Sequence, residues 1–309
     1  MRQTVQTVKT IQRVQRIARG LKALTALCAA LATGGALAQA SFTATYNGAS
    51  PSGGDCSSTY NIVGMEPTTP GRHPVFVYMV GTWENFTNAS ALEAVRRMAA
   101  KGYVAATVEY GNSAFGNCEV IGAKAKCIFD PDSAASAITQ LCSRKGADCR
   151  KGLVVAGFSQ GAIMSILAKN HDARVQAAYG LGAGVQYAST DLRQCVANGN
   201  RVLPSDRLRI VNGEADEFMG GNALTVRSQM QEVTGMNCGF AAGSCTAANG
   251  SGWEMVQQIR MTSGLADHCY MRAAGCGSSE DVLQPAWRSG NEAWHLEPSL
   301  RWLTGFTGR

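Results

Sequence analysis

The sequence predicts an α/β fold, a mostly parallel central sheet with helices on both faces. Three observations predict it. Strand-like runs alternate with helical stretches along the whole chain. Some of the runs, such as Pro74–Val80, are almost continuously apolar, which suits a strand buried on both faces. One run, Leu153–Ala156, leads through Gly157-Phe158-Ser159-Gln160-Gly161 straight into a helical stretch, Ala162–Ala168.

Taken in order, Ser41–Asn47 and Thr59–Met65 read as strands around a Gly/Ser/Pro-rich loop, Gly48–Gly54. Pro74–Val80 is a strand, Ala89–Lys101 has helical spacing and stops at Gly102, and Tyr103–Val108 is a strand. Asp132 or Ser133 caps a helix running to about Lys145. The Leu153 strand and its helix follow, then a strand at Val175–Leu181. Leu208–Asn212 is the next strand, and Ala223–Val233 the helix after it. Trp253–Ile259 reads as a late strand and Asn291–Phe306 as a closing helix, disturbed near its start by Pro298. Gln186–Pro204 and Gly235–Gly252 are rich in Gly, Asn and Ser and read as surface loops. With 309 residues, no internal repeat and no low-complexity linker, the chain suits one large domain.

The start of the chain reads as an export signal. Arg2, Lys9, Arg13, Arg16, Arg19 and Lys22 precede a short apolar run, Ala23–Leu37, with no acidic residue among them. Ala36-Leu37-Ala38 is an A-x-A cleavage site, so residues 1–38 are the expected signal peptide and 39–309 the mature domain; Ser41 is the alternative start. The other reading, an uncleaved anchor, needs ~20 apolar residues, more than this run supplies. Leu27 is too large beside Cys28 for a lipoprotein site. Secretion or a periplasmic location is expected, with no stable membrane anchor.

Removing the signal changes the charge argument. Of 28 basic residues six leave, so 28 − 6 = 22 remain against 22 acidic ones. The net charge of +6 belongs to export and gives no reason to expect nucleic acid. Of 11 cysteines Cys28 leaves, and the even remainder of ten suggests disulfides. Sequence proximity suggests Cys118–Cys127, Cys142–Cys149, Cys238–Cys245 and Cys269–Cys276, with Cys56–Cys195 as the long link. No C-x-x-C pair or Cys/His cluster has zinc spacing, so neither metal nor cofactor is expected.

The strand, G-x-S-x-G, helix context points to nucleophilic chemistry. A serine on a strained turn needs small residues two before and two after it, and Gly157 and Gly161 supply them. Ser159 is then held above the sheet with the Gln160 N–H facing the site. The plainer alternative is a loop that happens to contain a serine. A nucleophilic serine needs a base, and the base needs a carboxylate. In this context the chain order is Ser, acid, His. Asp216 follows the Leu208–Asn212 strand in Gly213-Glu214-Ala215-Asp216, with Glu214 and Glu217 as close rivals and a turn cap as its structural alternative. His73 and His171 precede it. His268, in the Gly264–Cys269 loop, is preferred to His295, which falls within the closing helix between Trp294 and Leu296. An oxyanion hole needs two N–H donors. Gln160 supplies one and the Gly81-Thr82-Trp83 turn the other, with Thr82 N–H preferred to Trp83 N–H. The Trp83 ring lines the substrate pocket or merely covers surface. Tyr110 reads as structural.

These residues resemble the α/β-hydrolase superfamily: Gly157–Gly161, the Gly213–Asp216 turn, the His268 loop, and the Gly81-Thr82 turn after a buried strand. The resemblance spans about Thr59 to Phe306. The Ser-Gln-Gly form is similar to that of cutinases and small secreted carboxylesterases or dienelactone-hydrolase-like proteins. It implies a lid-poor serine esterase, with a small-molecule, lipid or polymer ester as its partner and a two-step acyl transfer on Ser159, His268 and Asp216. Val80-Gly81 stands where many lipases have His-Gly, and the cysteine content is high for the group. A polyester hydrolase, a serine peptidase of the same fold, and a non-catalytic envelope binding protein are the alternatives.

Overall fold

The computed structural model describes residues 38–277 and 281–308. The expected signal peptide, apart from Ala38, lies outside the described residues.

A long antiparallel hairpin opens the sheet, β1 (Gln39–Ser50) and β2 (Gly53–Pro67). Next come β3 (Val75–Met79), α1 (Ala89–Ala100), β4 (Val104–Val108), α2 (Cys118–Phe129) and α3 (Ala137–Cys142). β5 (Leu153–Phe158) feeds α4 (Gln160–Leu167), and β6 (Val175–Leu181) follows. A small excursion holds β7 (Gln186–Tyr187), β8 (Thr190–Asp191) and α5 (Arg193–Val196). The chain closes with β9 (Leu208–Gly213), α6 (Ala223–Thr234), β10 (Ser244–Thr246), β11 (Gly252–Val256), α7 (Pro285–Ser289) and α8 (Leu296–Thr304).

The main sheet has the order β1-β2-β4-β3-β5-β6-β9-β11-β10. β4, β3, β5, β6, β9 and β11 run parallel; β2 joins this block antiparallel with β1 as the edge beyond it, and β10 is the antiparallel edge at the other end. Every residue of β3, β4, β5, β9 and β11 is buried. Strands that bury both faces need helices on both, and the helices supply them: α1 packs with α8, and α2 with α3 and α4. The predicted fold class is the observed one. β3 and β5 sit side by side in the middle, so the turns leaving their carboxyl ends meet.

Several boundaries differ for local reasons. The Gly48–Gly54 loop is instead the end of a hairpin, because Gly53 and Gly54 at φ +86° and +87° turn the chain tightly around Pro51-Ser52. The helix expected from Asp132 or Ser133 starts later. Ser136 is its cap, its hydroxyl accepting the Thr139 N–H at 3.2 Å. The late strand stops at Val256 and gives way to a short 3₁₀ turn, Gln258–Arg260. The closing helix begins only at Leu296, which puts Pro298 in its first turn, where proline's missing N–H costs nothing. Inside the two predicted loops lie β7, β8, α5 and the edge strand β10.

The larger difference is α2, a twelve-residue helix absent from the sequence reading. Asn117 caps it, its side chain accepting the Val120 N–H. α2 also decides the disulfides. Cys118 and Cys127 lie nine residues apart on it, about 13 Å along the axis, whereas bridged Cα atoms lie within ~7 Å. They cannot pair with each other. Cys127 bonds Cys56 on β2 and Cys118 bonds Cys195 on α5, so the expected Cys118–Cys127 and Cys56–Cys195 pairs are exchanged. The other three bridges, Cys142–Cys149, Cys238–Cys245 and Cys269–Cys276, are those that proximity suggests.

Candidate active site

Ser159 sits between β5 and α4 at φ +53°, ψ −120°, a backbone conformation that L-residues avoid. The packing around it holds the strain in place. A Cβ on Gly157 would come within 2.3 Å of the Gly161 carbonyl oxygen, and one on Gly161 within 2.1 Å of the Met79 carbonyl oxygen. Only glycine lets α4 start that close to β5 and β3. Ser159 is 8% exposed, and that small window opens on a cavity of about 490 Å³.

His268 lines the same cavity. Its Nδ1 lies 2.7 Å from Asp216 Oδ2, and both side chains are almost wholly buried. A carboxylate only accepts, so Nδ1 carries a proton, and in the neutral ring the lone pair is on Nε2. The other Asp216 oxygen accepts the Phe218 N–H at 3.1 Å. Asp216 therefore caps the short 217–219 turn and also holds His268. The two loops are fastened directly to each other. Ala215 N–H donates to Ala266 O at 2.9 Å and His268 N–H to Glu217 Oε2 at 3.2 Å. Gly213 permits this approach, since a Cβ there would lie 2.1 Å from Ala266 O. The His268 ring packs among Phe158, Phe218 and Tyr187. It also needs Gly182, at φ +62°, where a Cβ would come within 2.7 Å of Cε1. No hydrogen bond joins Ser159 Oγ to the His268 ring, and unliganded sites often leave this contact long.

The turn after β3 is strapped on every side. Gly81 N–H donates to Glu84 Oε2 at 2.7 Å, and Trp83 N–H to Asn112 O at 3.0 Å. Asn112 Nδ2 donates to the carbonyls of Gly81 and Glu84. Arg272 forms an ion pair with Glu84. The Thr82 N–H is left bare: it donates to no described residue. Gln160 N–H, first in α4, has no acceptor within its own helix and also donates to none. The Trp83 N–H, the second choice from sequence, is already committed. Its ring, at φ +64° and 78% exposed, stands at the cavity rim rather than in the core.

Ser159, His268, Thr82 and Trp83 thus border one cavity, with Asp216 behind His268 and Gln160 behind Ser159. The rivals fall elsewhere. His295 caps α8 rather than lying inside it; its Nδ1 accepts the Glu292 N–H at 2.6 Å and its ring stacks on Trp294. Glu214 accepts the Gln258 N–H, away from His268. Tyr110 donates to Val80 O at 2.6 Å and braces the end of β3. Glu217, Asp267 and Cys276 come within 4.8 Å of one another, but the Cys276 sulfur is bonded to Cys269 and offers no thiolate. Sequence reasoning missed Asn112, Glu84, Arg272, Gly182 and Lys124. Asn112 two residues after Tyr110 was the one visible cue, in a Gly-Asn-Ser turn leaving a strand.

No protein-family model matches the chain, and no curated protein matches it. Solved structures do. A hypothetical protein PA2218 from Pseudomonas aeruginosa is similar over 52% of this chain and 46% of its own, under half its length, at 17% identity and a TM-score of 0.37. A dienelactone hydrolase, so titled, from Klebsiella pneumoniae is similar over 85% of this chain and 94% of its own, at 15% identity and a TM-score of 0.43. XC6422 from Xanthomonas campestris, titled an a/b serine hydrolase without lid, is similar over 70% and 83%, also at 15% and 0.43. The chain's own sheet order, and its strained serine between a central parallel strand and a helix, are those of the α/β-hydrolase fold.

Proposed function

We propose that the protein is an exported serine hydrolase that cleaves carboxylic esters through an acyl-enzyme. One observation carries the reading: the strained Ser159 opens on the cavity that holds His268, whose Nδ1 is bound to the buried Asp216. Ser159 Oγ attacks the ester carbonyl while His268 Nε2 takes its proton. Asp216 keeps the ring in the right tautomer and stabilises its cation. The bare N–H groups of Gln160 and Thr82 receive the developing oxyanion. His268 returns its proton to the leaving alcohol, and water then releases the acid by the same route. Trp83 covers the bound chain at the rim. Five disulfides support an oxidising compartment, and no helix among the described residues is long and apolar enough to cross a membrane.

The test is fluorophosphonate labelling of the mature protein beside Ser159→Ala, with turnover of p-nitrophenyl esters of graded acyl length. Labelling and turnover that vanish in the variant are expected. A folded wild-type protein that does neither returns the fold to the binding-protein reading. A polyester film and a peptide substrate, run alongside, separate the narrower hydrolase classes.

A further inference from the structure

Lys124 has a place that the triad does not explain. It projects from α2 and is 1% exposed, yet no ion pair accompanies it among the described residues. Its Nζ donates to two neutral oxygens, Ala114 O at 2.8 Å and Gln160 Oε1 at 3.3 Å. Burial alone pushes its ammonium down to about 8. A lone buried cation costs stability unless something else requires it. Gln160 is the residue it meets, and the Gln160 amide continues the line. Its Nε2 donates to Ala114 O at 2.8 Å and to Thr82 Oγ1 at 3.3 Å. One chain of hydrogen bonds therefore runs from α2 to both residues with bare N–H groups over the cavity.

The chemistry of the three groups gives this chain a direction. A glutamine amide can present either end to either neighbour. An ammonium only donates, so Lys124 draws Oε1 toward α2 and leaves Nε2 facing Thr82. α2 cannot drift, because Cys118 at its start and Cys127 near its end are both disulfide-bonded, to α5 and β2. We propose that Lys124 is a positioning residue: through the Gln160 side chain it sets the gap between the Gln160 and Thr82 N–H groups, and so how tightly the oxyanion is held. The inference rests on Ser159 being the nucleophile. An oxyanion forms only during reaction, so the effect falls on kcat and spares KM.

Lys124→Met keeps the stem and removes the donor. Relative to wild type, kcat for p-nitrophenyl butyrate and the rate of fluorophosphonate labelling each fall ~10-fold, less than the 10²–10³ for deleting a donor, with KM within about twofold. Gln160→Met and Thr82→Val keep both N–H groups and break the same chain lower down, so each gives the same split. Because Lys124 acts through Gln160, the Lys124→Met/Gln160→Met double variant is no slower than Gln160→Met alone. Unchanged kcat in Lys124→Met, or losses that multiply in the double variant, overturn the proposal. If Lys124→Met does not fold, the other two decide: wild-type kcat in both overturns it. Wild-type protein that never labels on Ser159 instead overturns the hydrolase reading, and this inference with it.

Discussion

The two halves of the cavity are held in place by different means. Ser159 and Gln160 stand where β5 meets α4, backed by α2, whose two disulfides close spans of 71 and 77 residues. Asp216 and His268 stand on loops beyond β9 and β11, where the one nearby bridge, Cys269–Cys276, spans seven residues. In the chain-entropy account each long bridge contributes about 4 kcal/mol and a short one about 2.5 kcal/mol. The serine half is therefore tied to the sheet and to distant parts of the chain, while the histidine half is tied mainly to itself. Ser159 and the N–H donors are set by core packing, and His268 by the contact between its own two loops.

Three further expectations test this contrast, beginning with the largest effect. Asp216→Asn keeps the turn cap but favours the wrong ring tautomer, and kcat falls by about 10⁴ with the thermal midpoint little changed. A loss under tenfold, measured by steady-state kinetics, means His268 is held by its aromatic neighbours instead. Next, replacing both Cys118 and Cys195 by Ala lowers the thermal midpoint by roughly 10 °C, against about half that for replacing Cys269 and Cys276. The shorter bridge's removal falls more on kcat, since it loosens the His268 loop. Calorimetry that ranks the two pairs the other way breaks the contrast.

The smallest effect is a pH dependence set by Lys124, whose ammonium titrates at about 8 when folded and near 10.5 when free. Between these values the unfolded chain binds more protons, so this residue's contribution to stability rises with pH. Activity moves the other way, because above about 8 the neutral amine can accept as well as donate and no longer fixes which end of the Gln160 amide faces it. Its near neighbours are the Ala114 carbonyl and the Gln160 amide, and burial is the sole cause of its shift. Opposed slopes in paired activity and denaturation profiles are expected in wild type and absent from Lys124→Met.

What could be read in the sequence follows the same division. Gly157-Phe158-Ser159-Gln160-Gly161 is local: one turn, its own glycines, and a strand and helix on either side. The central strands were legible because burial on both faces leaves continuous apolar runs. Asp216 and His268 could be picked from chain order and strand ends. α2 was hidden because Gly122 and three charged residues, Glu119, Lys124 and Lys126, blur its apolar face, and because two nearby cysteines suggested a closed loop. With α2 unseen, Lys124 had no place in a site. Gly182 and Asn112 owe their roles to neighbours distant in the chain, which no periodicity encodes.

The two bridges on α2 also carry a cost before the protein is folded. Cys118 and Cys127 are close in sequence, and in an unfolded chain their encounter is favoured over Cys118 with Cys195 by about 2 kcal/mol of loop entropy. A chain oxidised too early thus joins the ends of the very segment that must become α2 and bars that helix from forming. The native pairs overlap, Cys56–Cys127 enclosing Cys118 and Cys118–Cys195 enclosing Cys127, so neither can be made correctly until the sheet has brought distant strands together. Once the Cys118–Cys127 bridge has formed, only thiol–disulfide exchange returns the chain to its native pairs, so a redox buffer that permits exchange is expected to refold it better than a strong oxidant.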